Sequence, residues 1–297
     1  MSDRLKQLIT PHIQDLGGVL ARRLLPSDTL ALVGPFIFFD HLGPAVLPPG
    51  KGVDVRPHPH INLATVTYLF EGVLLHRDSV GSVREIHPGA VNWMTAGRGI
   101  VHSERTPDAA RSQAATLHGI QIWVALPAAD EETEPSFWHH PASELPMWEE
   151  DGVSFTLIAG TAFDRTSPVQ IFSPMIYLDV QLAPGTQFTL PSDYSEQAIY
   201  SVTAGLQIDG VAIAQHRLAV LHPGAAVSIA AESSARCLVI GGEPVGERIK
   251  WWNFVSSRPE RIEQAKQDWQ QGHFEQVPGE TEFIPLPETP APQAQPM

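Results

Sequence analysis

Short runs of alternating apolar and polar residues, separated by turns rich in glycine and proline, dominate the first part of the chain. A period of two is the pattern of a β-strand with one buried face. The clearest alternation is HGIQIWVAL at residues 118–126. The pattern predicts strands at residues 63–70, 73–78, 83–86, 90–95 and 100–104, joined by turns at regular spacing. Such a meander is typical of a β-barrel or sandwich.

The N-terminal region is predicted with less regularity. Residues 1–16 are interpreted as a short helix or a frayed end, followed by strands at 19–25 and 30–39. The sequence DHLGP at 40–44 is expected to end the second strand, and the proline- and glycine-rich residues 45–57 are expected to form a loop.

The second half of the chain repeats the order of the first. Tyr68 begins YLFEG, and HPGA follows at residues 87–90; Tyr200 begins YSVTAG, and HPGA recurs at 222–225. Two barrels of one topology in tandem are the simplest explanation. The predicted fold class is therefore all-β.

Three regions are predicted from this repeat. Residues 1–130 form a metal-binding barrel, the acidic residues 131–152 form an extended linker, and residues 153–297 form a second barrel. Residues 258–269, with apolar positions at helical spacing, predict one short C-terminal helix. The proline-rich tail at 285–296 is expected to be loosely ordered.

Composition narrows the classes of partner. The apolar fraction of 43% is typical of a globular chain with a sizeable core. The net charge of −14 repels phosphate groups, so the chain is expected to bind neither nucleic acid nor an anionic membrane directly. The one cysteine, Cys237, excludes an internal disulfide and suits a reducing compartment. No apolar segment of signal-peptide type follows the N-terminus, so a cytoplasmic location is expected.

The candidate chemistry lies at the two ends of the stretch from residue 58 to 104. His58 and His60 are two residues apart, as are His102 and Glu104, so each pair points to one face of a strand. Three imidazoles and one carboxylate favour a first-row transition metal over calcium or magnesium. We expect Fe(2+), with another first-row divalent ion as the alternative, and coordination positions left open for chemistry.

Most other histidines are interpreted as ordinary surface or core residues. His41 and His118 are placed near the pocket but without a role, and His87 and His222 belong to the HPGA turns. No role is assigned to His12, His76, His139, His140, His216 or His273.

The repeat also provides an internal control. Counting from the matching turns, the four ligand positions fall on Pro191, Asp193, Cys237 and Val239 in the second half. None is a histidine, so the second barrel is expected to bind no metal and to serve packing or partner contacts.

Several segments resemble the pirin family, which are two-barrel members of the cupin superfamily. In the first half these are PHPHINLATVTYLFEG, HRDSVG, HPGAVNWMTAGRGIVHSE and HGIQIWVALP; in the second they are SPVQIFSPMIYLDVQLAPG and EPVGERIKWWNFVSSRPERIEQAKQDW. The resemblance implies two tandem cupin (jelly-roll) β-barrels and a mononuclear iron site on His58, His60, His102 and Glu104. Many relatives carry Arg-Gly-Phe-Glu where this chain has INLA at 61–64. This departure is taken to remove a carboxylate that other cupins use as a ligand.

The resemblance also implies an activity, because several pirins are described as quercetin 2,3-dioxygenases, which open a flavonol ring with O2. In that reading Glu104 is catalytic and accepts the flavonol 3-hydroxyl proton, and apolar side chains wall the pocket, with candidates Phe38, Phe39, Trp93 and Met94. For Trp93, ordinary core packing is the preferred interpretation. One alternative is an iron-binding, redox-sensitive interaction protein with a protein partner. Another is an enzyme acting on an unrelated small aromatic compound.

Overall fold

The computed structural model of the protein describes residues 4–288 and the backbone of residues 295–296. The chain divides into two compact units that interleave along the sequence. The strands of the first half are β1 (Leu5–Ile9), β2 (His12–Asp15), β3 (Leu20–Leu25), β4 (Phe36–Leu47), β5 (Asp54–His60), β6 (Leu63–Glu71), β7 (Leu74–Asp78), β8 (Val83–Ile86), β9 (Val91–Thr95), β10 (Ile100–Arg105), β11 (Ala115–Ala125) and β12 (Ser136–His140).

The second half continues the same architecture. Its strands are β13 (Met147–Glu150), β14 (Val153–Ala162), β15 (Arg165–Thr166), β16 (Met175–Leu182), β17 (Thr186–Leu190), β18 (Glu196–Ser201), β19 (Leu206–Ile208), β20 (Val211–Ile213), β21 (Leu218–Leu221), β22 (Val227–Ala231), β23 (Ala235–Gly242), β24 (Ile249–Trp251), β25 (Phe254–Ser256) and β26 (Gln295–Pro296). The helices are α1 (Asp108–Arg111) and α2 (Pro259–Gln271), with a 3-10 turn at Ala142–Glu144. None of the described helices has the length and hydropathy that crossing a lipid bilayer requires.

The first barrel belongs to the unit made of Ile13–Ala21, Ile37–Ala142 and the described part of Val245–Met297. One of its sheets has the order β12-β9-β6-β11-β4, and the other has the order β5-β10-β7-β8. The pairs β5–β10, β10–β7 and β6–β11 are antiparallel. The hairpin predicted at residues 79–82 joins β7 to β8.

The second barrel belongs to the unit made of the described part of Met1–His12, Arg22–Phe36 and Ser143–Pro244. Its sheets have the orders β1-β21-β18-β23-β16-β14-β13 and β17-β22-β19-β20. The segment β21-β18-β23-β16 repeats β9-β6-β11-β4 of the first barrel, and β17-β22-β19-β20 repeats β5-β10-β7-β8. The predicted all-β fold with two barrels of one topology and a C-terminal helix is therefore confirmed.

The division between the units differs from the contiguous regions 1–130, 131–152 and 153–297. The acidic segment is no extended linker: β12 pairs with β9, and β13 pairs with β14, so the segment adds one strand to each barrel. The described residues from Val245 onward belong with the first barrel. Both features depend on contacts between residues that are far apart in the sequence, and local composition does not reveal such contacts.

The N-terminal predictions are corrected in three places. Residues 5–9 and 12–15 form strands in place of the predicted helix or frayed end; β1 pairs with β21. Residues 30–35 lie outside any strand, because Val33 and Phe36 close a turn around Gly34, whose φ is +54°. Strand β4 then continues to Leu47, through the predicted stop and into the predicted loop, whose last residues also begin β5.

The C-terminal helix is confirmed as α2. Pro259 stands at its first turn and Gly272, with φ of +73°, ends it. The helix buries Ile262 and Ala265 against Ile61 and Phe254 of its own unit. The predicted loose tail at 285–296 falls largely outside the described residues.

Candidate metal centre

Three buried histidines of the first barrel converge on one point. His58 and His60 alternate on β5, and the register of β5 with β10 places His102 opposite His58 and Ile100 opposite His60. The ring centroids lie 4.4 Å (His58 to His102) and 5.0 Å (His60 to each of the others) apart. Their potential ligand atoms all lie within 4.8 Å of one another, as donors around a single cation do.

The hydrogen bonds of two of these rings set which nitrogen faces the centre. His58 Nδ1 lies 2.8 Å from the Arg56 carbonyl oxygen, and His60 Nδ1 lies 3.2 Å from that of Asn253. A carbonyl only accepts, so each Nδ1 donates its proton and each Nε2 retains a lone pair. Metal-binding histidines are oriented in this way by partners of the second nitrogen.

The ring of His102 provides the strongest evidence that the triad binds a ligand atom. Both of its ring nitrogens are buried and have no hydrogen-bond partner among the described residues. Burying an unpaired polar group is costly, and such groups are rare in native proteins. A metal ion bound at one nitrogen would satisfy that nitrogen, so the residues present fit a divalent cation.

The pKa values of the three histidines also favour metal binding. Burial lowers the pKa of His58 from 6.5 to about 4. Burial also lowers the pKa values of His60 and His102 well below the ordinary range, and the neighbouring imidazoles lower them further. The three rings are therefore neutral at pH 7, as metal ligands must be. A donor set of neutral imidazoles favours zinc, copper, iron or nickel over calcium and magnesium.

Glu104 lies beside the triad and outside the group of ligand atoms within 4.8 Å of one another. The Thr67 hydroxyl lies 3.1 Å from Glu104 Oε1 and 2.9 Å from Gln121 Oε1. Burial raises the pKa of Glu104, although His76 and the Thr67 hydrogen bond oppose the shift. The role of Glu104 as a fourth ligand stays a prediction.

Comparison with known proteins gives this arrangement a family. The pirin family matches residues 18–124, and the pirin C-terminal cupin domain matches residues 177–275. A pirin-like protein of Caulobacter vibrioides is 48% identical over 280 residues, which cover 93% of this chain and 96% of that protein.

This chain belongs to the pirin family. Human pirin is 32% identical to it over 261 residues, covering 85% of this chain and 87% of the human protein. The crystal structure of a quercetin 2,3-dioxygenase from Acinetobacter baumannii superposes with a TM-score of 0.88 at 33% identity, covering 96% of this chain and 95% of that one.

Sequence reasoning missed His76, which received no role. The antiparallel register places His76 of this pirin opposite Glu104, and Asp78 opposite His102. His76 Nε2 lies 2.8 Å from Asp78 Oδ2, and the His76 ring lies 5.3 Å from that of His102. The only sequence signal was the His-x-Asp spacing, which gains meaning once β7 is paired with β10.

The remaining candidates divide between the two faces of the sheet. Trp123 lies edge-on to His60 at 4.9 Å and stacks on Phe38 at 4.2 Å. Phe38 therefore reaches the site through Trp123, and its role as a pocket wall stays a prediction. Met94 lies opposite Thr65 and packs with Phe137, whereas Trp93 points to the other face, as the core interpretation required.

Phe39 is buried and, by alternation along β4, faces away from the Phe38 side. His41 and His118, which were placed near the pocket, contact each other through Nε2 atoms 2.8 Å apart. Neither belongs to the triad.

The departure at residues 61–64 has a local explanation. Asn62 has a φ of +60°, a conformation that asparagine tolerates better than most residues. Ala64 pairs with Thr95 and Val124, so alternation turns it away from the face that carries Thr67. A carboxylate at position 64 would therefore point away from the triad, and the interpretation that its loss removes a ligand is wrong for this register.

The second barrel has apolar residues at the ligand positions. In β17 and β22, Phe188 lies opposite Ile229 and Leu190 lies opposite Val227. These pairs correspond to His58 with His102 and to His60 with Ile100. The four residues predicted by counting were wrong for two reasons. Residues 191–195 join β17 to β18, where the shorter connection 61–62 joins β5 to β6. The two HPGA turns are also not equivalent, because the first lies before β9 and the second lies after its counterpart β21.

Proposed function

We propose that this chain is a metal-dependent oxygenase of the quercetin 2,3-dioxygenase type, with Fe(2+) held by His58, His60, His102 and Glu104. The observation that carries the proposal is the convergence of three buried, neutral imidazoles, one of which has no hydrogen-bond partner for either nitrogen within the described part of the chain. Three such ligands leave positions on a first-row cation open for a substrate.

The iron, when bound, supplies a Lewis acid for a phenolic oxygen and a redox partner for O2. The protein supplies a general base and an aromatic surface against which the substrate packs. Glu104 accepts the proton of the flavonol 3-hydroxyl, and its raised pKa makes it a better acceptor near neutral pH. Thr67 fixes the orientation of this carboxylate. The stacked rings of Trp123 and Phe38 form an aromatic surface beside His60 that suits an aromatic substrate, and the Lys250 ammonium lies 5.3 and 5.2 Å from their centroids.

The similarity to the Acinetobacter protein supports this substrate class, because that protein is named quercetin 2,3-dioxygenase and is 33% identical. We further propose that the protein acts in the cytoplasm, since Cys237 is buried and unpaired and a reducing compartment suits it.

The test is aerobic incubation of the iron-loaded protein with quercetin, followed by the loss of flavonol absorbance. Wild type should consume quercetin, and the metal-free protein should not. His87→Ala controls for the removal of a histidine that is not a predicted ligand. His87 is exposed and pairs with the surface residue Glu85, so this variant should consume quercetin like the wild type.

Loss of absorbance that is equal with and without metal would contradict the proposal. Bound metal without turnover would favour the alternative of an interaction protein that uses the metal site for regulation. In that case a pull-down whose partners depend on the iron oxidation state identifies the second function.

A further inference from the structure

A second cavity lies in the unit of the first barrel, away from the triad. Its volume is about 600 Å³, and its walls come from Pro57 and Val101 on one side and from residues 269–288 on the other. Val101 immediately precedes His102 on β10, so alternation turns it to the opposite face of the strand. The cavity is therefore separate from the metal centre.

The segment that closes this cavity is anchored at several points. Ile284 N donates to the Pro57 carbonyl oxygen at 2.8 Å, and Trp269 Nε1 donates to the Ile284 carbonyl oxygen at 3.0 Å. Glu280 accepts from Ser103 Oγ at 2.8 Å and from two nitrogens of Arg105 at 2.7 and 2.9 Å. These bonds hold the cavity open before any ligand binds, which reduces the entropy lost on binding.

The walls have two chemical characters. Three aromatic rings line the cavity: Trp269 meets Phe274 and Phe283 edge-on, at centroid distances of 5.8 and 5.9 Å. Phe283 is 58% exposed, so its ring is available to a ligand. Aromatic faces attract organic cations that have shed part of their hydration.

The charged lining of the cavity is entirely acidic. It includes Glu275, Glu280, Glu282 and Glu288, and no lysine, arginine or histidine. Arg105, behind the wall, forms ion pairs with Glu280 and Glu282, and Arg77 also acts electrostatically on Glu280. Arg98 acts electrostatically on Glu275 and pairs with Glu134. Glu288 lies on the exposed rim and adds negative charge to it.

We propose that this cavity binds a small organic cation with an apolar or aromatic body. The volume lies in the range of small-molecule sites, and an apolar wall with a few charged groups is their usual composition. The aromatic rings contact the body and the cationic head, and the carboxylates select positive over neutral or negative ligands. This site is independent of the oxygenase reaction proposed above.

The test is calorimetric titration of the full-length protein with benzyltrimethylammonium chloride, with benzyl alcohol and benzoate as neutral and anionic comparisons. We expect saturable one-to-one binding of the cation, at least threefold tighter than of either comparison. Phe283→Leu and Glu288→Gln should each weaken it by about threefold, within the range of single exposed cation–π and charge contacts.

The matched control is Glu85→Gln, which removes an exposed carboxylate outside the cavity and should leave the affinity unchanged. An equal loss in this variant would assign the binding to the overall charge of −14 and would overturn the proposal. Equal affinity for benzyl alcohol would also overturn it, as would the absence of saturable binding. Bound metal and thermal melting, measured for each variant, verify that the fold is retained.

Discussion

Strands β5 and β10 of the first barrel occupy the same places in their sheet as β17 and β22 of the second. At the paired positions that carry His58 and His102, the second barrel has Phe188 and Ile229; Leu190 takes the place of His60. Phe188, Leu190 and Ile229 join one continuous apolar core. The same arrangement of strands thus encloses histidines in the first barrel and apolar side chains in the second. We therefore expect the first barrel to keep its shape without an ion.

The comparison also indicates that the buried histidines lower the folding stability of the first barrel. An apolar side chain at these positions is buried without penalty, whereas each neutral imidazole needs a partner for its nitrogens. Two rings have a backbone partner at one nitrogen, and among the residues that the structure describes His102 has a partner at neither. A barrel that retains such a group in place of isoleucine gains something other than stability from it.

The largest expected effect follows from removing His102. His102→Ala should reduce bound metal to background and lower quercetin turnover by more than 100-fold, because a site that retains only two of the three imidazoles binds a divalent ion more weakly. The fold should survive, since Ile229 shows that the position needs only an apolar group. Elemental analysis and circular dichroism on one preparation separate the two effects, and unfolding of the variant would contradict this reading of the comparison.

Removing the carboxylate should have a smaller effect on metal content than on turnover. Glu104→Gln keeps the shape and the Thr67 contact but cannot accept a proton, so turnover should fall by about 100-fold. Metal affinity should fall by less than the loss caused by His102→Ala, because the triad remains. Equal turnover in wild type and Glu104→Gln would remove Glu104 from the catalytic role.

The filling of the second barrel can be transferred to the first. The variant His58→Phe/His60→Leu/His102→Ile reproduces Phe188, Leu190 and Ile229 in the first frame. It should bind no metal and should melt at a higher temperature than the metal-free wild type, as replacement of buried polar groups by packed apolar ones allows. A lower melting temperature would show that the two interiors differ in shape as well as in polarity.

The two fillings should also respond differently to acid. Below pH 6.5 an unfolded chain protonates His58, whereas the folded metal-free chain does so only near pH 4, so folding stability falls as the pH decreases through this window. The contribution of His58 alone is roughly 3 kcal/mol. Thermal melting of the metal-free protein between pH 7 and 4 should show this loss, and the triple variant should show less of it.

The smallest expected effect concerns Asn62. Asn62→Gly should leave metal content unchanged. Both Asn62→Gly and Asn62→Ala lose the hydrogen bonds that the buried amide donates to the carbonyl oxygens of Gly97 and Glu131. Because glycine adopts a φ of +60° easily, Asn62→Ala should be less stable than Asn62→Gly by about 1 kcal/mol. Chemical unfolding compares the two variants. Equal stability of both would mean that the left-handed conformation at this position is not what selects asparagine.

Local pattern was sufficient for some parts of this molecule and insufficient for others. The triad was predictable because alternation along one strand places His58 and His60 together, and the pairing of β5 with β10 adds His102. The strand β1 could not be predicted, because its partner Leu221 lies more than 200 residues away. His76 acquires a neighbour in Glu104 only through the register of β7 with β10.

The ligand positions of the second barrel show the same limit. Counting from turns assumes that the turns are equivalent, and the two HPGA turns occupy different places in the strand order, so the count arrived at Cys237 in place of Ile229. Strand pairing, which is a property of the folded chain, identifies the correct equivalents. For the same reason the segment 131–152 resembled a linker by composition although it contributes a strand to each barrel.

The central claim is that His58, His60 and His102 bind one transition-metal ion. A crystal of the iron-loaded protein, measured on both sides of the iron absorption edge, tests it most directly through the anomalous difference map. We expect one strong peak within bonding distance of the Nε2 atoms of His58 and His60 and of a ring nitrogen of His102. A map with no peak between these rings, or with the iron bound elsewhere in the first barrel, would contradict the account.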